Sequence, residues 1–153
     1  EKQIMFQPPR HPKEPILDRL MQTGIAVQGI FITIATLSAF WYGWKYLDNL
    51  ELGRTLAFTT LITAELLRAH SSRSEKYSLA SMGFFSNTYM LSATTFSFVL
   101  VLLVLYVPAL DVIFKTSPPS ATHWGIVIGL GLMPSIASEI MKMFIKKPAT
   151  RAR

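Results

Sequence analysis

Residues 55–69 read TLAFTTLITAELLRA, an apolar run of membrane type in which Glu65 stands, with Arg68 one turn later. Seating a carboxylate inside a bilayer costs roughly 2.5–3.5 kcal/mol on insertion scales. A chain that accepts such a cost uses the charge, in an ion path, a proton relay or a buried pair. The stretch is therefore expected to form a membrane helix within a transport pathway.

Outward from that helix the apolar pattern recurs. Residues 21–44, 88–110 and 122–138 carry no Asp, Glu, Lys or Arg, and each exceeds or approaches the roughly 17–25 residues that cross a hydrocarbon core about 30 Å thick. Half of the 153 residues are apolar, and the mean hydropathy is positive. The expected fold class is all-α: a polytopic membrane protein with four transmembrane helices. Cysteine is absent, which excludes a disulfide framework. The net charge of +6 does not point to nucleic acid, because the basic residues lie in short segments between the spans, where membrane topology accounts for them.

Three regions follow. Residues 1–20 form a cytoplasmic arm, 21–146 the helical bundle and 147–153 a basic cytoplasmic tail. The arm holds four prolines within QPPRHPKEP at 7–15, which fix φ, remove backbone donors and favour an extended strand. It has no apolar core and is no signal peptide. It opens on Glu1 and not Met, as expected of a fragment or processed product.

The first helix is expected over 21–44, closing on the aromatics Phe40, Trp41, Tyr42 and Trp44 at headgroup depth. Residues 46–54 should be a tight loop and 54–70 the second helix. A polar segment then leads to an interfacial SLASMGFF at 78–85. The third helix starts near Thr88 and stops at Pro108; 108–122 is a loop with SPPS at 117–120; the fourth runs from His123 to about Phe144. Eleven Lys and Arg fall in segments on the side of the N-terminus and three (Lys45, Arg54, Lys115) on the other, with Arg68 near the first side. By the positive-inside rule both termini are cytoplasmic.

Glu65 has two readings: an oxygen ligand for a hard cation or a proton carrier, or an inert i,i+3 ion pair with Arg68. Arg68 sits nearer the cytoplasm and can snorkel. Thr59, Thr60 and Thr63 are expected to bond back to carbonyls of the preceding turn. Glu139 and Lys142 form a second i,i+3 pair, read as interfacial and structural. Gly125 and Gly129, with Gly131, should let another helix approach closely. His11, His70 and His123 lack the spacing of a zinc site and read as surface or interfacial. Neither a phosphate-binding glycine loop nor a Ser/His/Asp set is discernible, so the chain shows no means of binding ATP by itself.

Two stretches carry a resemblance. IMFQPPRHPKEPIL at 4–17 resembles the cytoplasmic segment after the sixth membrane helix of calcium-type P-type ATPases, and RTLAFTTLITAELLRAHSSRSEKYSL at 54–79 looks like their eighth helix and the loop beyond it. SNTYML and the helix ending in YVPAL are similar to the ninth, HWGIVIGLGLMPSIASEIMK to the tenth. In order and topology the whole chain resembles helices seven to ten of a bacterial-type pump. The resemblance implies ATP-driven cation export, with Ca2+ and Mg-ATP serving a parent enzyme whose phosphorylation and nucleotide sites lie upstream. It implies the parent's other membrane helices and cytoplasmic domains, with the lipid bilayer, as partners, and a bacterial plasma membrane as location. Glu65 matches a carboxylate of one cation site. Arg68 departs from the reticulum pumps and stands as a permanent counter-ion, in keeping with one ion per cycle. Pro8, Pro9, Arg10, Pro12 and Glu14 match a segment facing the phosphorylation domain, where the role is mechanical coupling. Two other readings compete: a stand-alone four-helix scaffold, and a small proton-coupled carrier in which Glu65 titrates.

Overall fold

A computed structural model describes residues 19–73 and 83–144. The proline-rich arm with Pro8, Pro9, Arg10, Pro12 and Glu14, most of the expected interfacial stretch, and the basic tail lie outside the described residues. Within them every regular element is helical: α1 (Arg19–Trp41), α2 (Leu50–Ser71), α3 (Thr88–Tyr106), α4 (Pro108–Phe114) and α5 (Ala121–Phe144). Among the described residues three stretches are long and apolar enough to cross a membrane, Met21–Tyr46, Thr88–Tyr106 and Ala121–Lys142.

The expected fourth span, α2, is 22 residues long but less apolar. Packing supplies the reason. α2 is the central rod, touched by α1, α5 and, more lightly, α3. Its buried face is made of Leu52, Thr55, Leu56, Thr59, Thr60 and Ala64. A helix surrounded by protein gains close approach from small side chains, whereas α1, α3 and α5 turn rows of Ile, Leu, Val and Phe outward.

The direction of each helix follows from its cross-contacts. Gln28 Nε2 donates to Ser138 Oγ at 2.9 Å and Gly24, one turn earlier, faces Met141, so α1 and α5 run antiparallel. Lys142 Nζ donates to the Ser71 carbonyl at 2.6 Å and Gly131 faces Thr63, so α2 and α5 run together. α3 opposes both, since His70 Nε2 lies 3.1 Å from Thr94 Oγ1 and Trp124 Nε1 donates to Tyr106 Oη at 2.7 Å. The start of α1 and the end of α5 thus share one end of the bundle.

At the opposite end α1 continues as a π-turn, Tyr42–Tyr46, and the connection shrinks to residues 47–49. The expected loop over 46–54 was drawn too long because Asn49 starts α2 early: its Oδ1 accepts from Leu52 N at 2.9 Å, a side-chain cap for an orphan donor. Here the two backbones nearly touch. A Cβ on Gly43 would lie 2.4 Å from Gly53 Cα, and one on Gly53 would lie 2.9 Å from the Phe40 carbonyl oxygen. The aromatics gather at this end, with Trp41 edge-on to Trp44 and Tyr42 stacked on Tyr46.

Three further expectations are corrected. Part of the 108–122 loop is α4, because Pro108 stops α3 but suits the first position of a new helix. A Cβ on Gly125 or Gly129 would meet no other part of this chain within 4 Å, and the close approach falls to Gly131, whose Cβ would lie 3.0 Å from Thr63 Cγ2. His70 is not a surface residue but is buried, with its ring against Thr94.

Candidate functional site

α2 places Glu65 and Arg68 on one face, three residues apart. Glu65 lies six residues before the end of the helix, so roughly 9 Å along its axis from that end. The guanidinium closes on a single carboxylate oxygen: Arg68 Nη2 is 2.7 Å from Glu65 Oε2, and Nε donates to the same oxygen at 2.8 Å. Among the described residues Glu65 Oε1 has no hydrogen-bond partner. The pair is half open, with the Arg68 and Glu65 side chains 41% and 42% exposed on this chain.

The structure shows the ion pair of the second sequence reading. The i,i+3 pair forms, yet it uses one oxygen and leaves the other able to meet a cation or a proton. Calcium takes six to eight oxygens at about 2.3–2.6 Å. Among the described residues no group of three or more His, Cys, Asp or Glu side chains converges, so Glu65 can supply at most part of such a shell.

The threonines beside it behave unequally. Thr59 Oγ1 donates to the Thr55 carbonyl at 2.7 Å, and Thr55 Oγ1 to that of Glu51 at 2.9 Å. The Thr59 bond is the expected back-bond, and Thr55 adds one that was not anticipated. Thr60 Oγ1 is buried with no partner among the described residues, against expectation.

Glu139 and Lys142 pair at 2.8 Å, but Lys142 is only 6% exposed. Its second bond, to Ser71, makes it a link between helices and not an interfacial pair. A cation there also meets the negative end of the α2 dipole. Sequence reading missed the Ser71 bond and the Gln28–Ser138 bond, whose partners stand 71 and 110 residues apart. Gln28, an amide within a span that carries no charge, was the available signal for the second of these.

Comparison with known proteins adds the context. A family described as cation transporting ATPase, C-terminus, matches residues 1–144. The chain is 35% identical over 136 residues to a calcium-transporting ATPase of Bacillus subtilis, which covers 88% of this chain and 15% of that protein. It is 34% identical over 145 residues to calcium-transporting ATPase 1 of Lactococcus lactis, and 33% identical over 144 residues to calcium-transporting ATPase type 2C member 1 of Homo sapiens. Each of these two alignments covers 93% of this chain and 16% of the relative.

Proposed function

The chain belongs to the cation-transporting ATPase C-terminal family, and from that premise we propose that it is the C-terminal transmembrane part of an ATP-driven Ca2+ export pump. It supports the transport helices and lends them one carboxylate. α2 is its fourth span, both termini are cytoplasmic, and the membrane is a bacterial plasma membrane. Nucleotide binding and phosphoryl transfer, with Mg-ATP, belong to the portion of the parent that precedes these residues. The arm with Pro8, Pro9, Arg10, Pro12 and Glu14 couples that portion to the bundle.

The half-open Glu65–Arg68 pair carries this reading. Two charges facing acyl tails would be costly, so the face of α2 that bears them is one that other protein covers. The chain spans about 15–16% of the relatives it matches, which leaves ample chain to do so. There Glu65 Oε1 takes one place in a cation's oxygen shell while Arg68 holds Oε2 as a fixed counter-ion. A fixed positive charge beside the site favours a single Ca2+ per ATP.

The test is ATP-dependent 45Ca2+ uptake into inverted vesicles holding the full-length protein. Glu65→Gln is expected to weaken Ca2+ dependence by an order of magnitude or more while the protein still inserts. Uptake unchanged in that variant would reduce the chain to a scaffold.

A further inference from the structure

At the end of the bundle away from Glu65 lies a cleft of about 240 Å³ lined by Arg54, Thr55, Phe58, Phe114, Lys115 and Thr116. It sits where the first turns of α2 meet the end of α4, and its walls are fastened. Ser117 N donates to Thr55 Oγ1 at 2.9 Å, and Thr116 Oγ1 donates to the Val104 carbonyl at 3.2 Å. Those two bonds hold Lys115 beside Arg54, although they join segments 62 and 12 residues apart.

Of the three cations at this end, Lys45 rests over the Trp44 ring at 4.2 Å. Arg54 and Lys115 have no ion-pair partner among the described residues, and neither Asp48 nor Glu51 pairs with them. Lys115 also holds φ +52°, a left-handed conformation that costs a residue with a Cβ roughly 1–2 kcal/mol.

We propose that this cleft binds the phosphodiester headgroup of an anionic phospholipid. Arg54 and Lys115 take the phosphate oxygens from two sides, and Phe58 and Phe114 receive the apolar portion that follows. Charge complementarity selects the headgroup: two cations that line one cavity, without an ion-pair partner among the described residues, attract an anion, and Arg and Lys pair with phosphate oxygens through charge-assisted hydrogen bonds. The volume is smaller than the roughly 300–1,000 Å³ of a pocket for a whole small molecule. The two phenylalanines in the lining favour a lipid over a free ion. Nothing in this assignment depends on the ion path, so either can fail without the other.

The test uses the full-length protein in phosphatidylcholine nanodiscs carrying a few per cent of spin-labelled phosphatidylglycerol, with spin-labelled phosphatidylcholine as the control. The immobilised phosphatidylglycerol component is expected to exceed the control. It should fall about fivefold for Arg54→Gln or Lys115→Gln, the equivalent of about 1 kcal/mol per cation, and further for the double variant. Arg54→Lys should retain most of it, and excess inorganic phosphate should not displace it. Equal immobilisation of the two lipids, or an unchanged signal in the double variant, overturns the proposal. Displacement by phosphate overturns it too, in favour of a free-anion site.

Discussion

Lys142 carries its ammonium into the place where α2 ends, between the Ser71 carbonyl and the Glu139 carboxylate. Lys142→Met keeps most of the apolar stem but removes both of these bonds, and hydrogen bonds to charged groups contribute about 1.5–3 kcal/mol each. The full-length protein in detergent should then unfold several degrees lower, measured by fluorescence melting. Thr60 should answer oppositely. Its buried hydroxyl finds no partner among the described residues, so Thr60→Val removes an unmet polar group at nearly constant volume and should leave the melting temperature equal or higher. The i,i+3 spacing of Glu65 with Arg68, and of Glu139 with Lys142, was legible in the sequence because helical geometry makes neighbours of such residues. The second bond of Lys142 was not legible, because no local rule brings residue 142 to residue 71.

Among the elements, the hairpin of α1 and α2 is the tightest contact described. Gly43→Ala would set a Cβ 2.4 Å from backbone, where no flexible side chain can give way. Overpacking of this kind costs about 1–3 kcal/mol, so the variant should melt lower and yield less folded protein on size exclusion. Gly129→Ala on α5 faces open space in this chain and removes a helix-weakening glycine, and should fold at least as well as the parent sequence. A glycine pattern alone would have ranked these two the other way, since Gly125 and Gly129 have the familiar four-residue spacing and Gly43 and Gly53 have none. Helix positions themselves were well anticipated. The stop of α3 before Pro108 follows from the restriction proline places on its predecessor, and α4 was missed because seven residues are too few for periodicity to speak.

For the molecule as a whole, one carboxylate with one open oxygen cannot complete a calcium shell. Isothermal calorimetry on the isolated chain in detergent should give no micromolar Ca2+ binding; a clear micromolar isotherm would place the whole site inside these residues. Length, apolar runs and charge placement are local properties, and they determined by themselves that this chain is helical, with three stretches among the described residues apolar enough to cross a membrane and an acidic group in the helix after the first. The family resemblance was legible for a related reason: it rests on short contiguous stretches. Only the tertiary structure decided that α2 is the central rod, that Arg68 engages a single oxygen of Glu65, and that Lys115 comes to stand beside Arg54. Each of these depends on which faces of distant segments meet, and that choice is made by packing summed over the whole bundle.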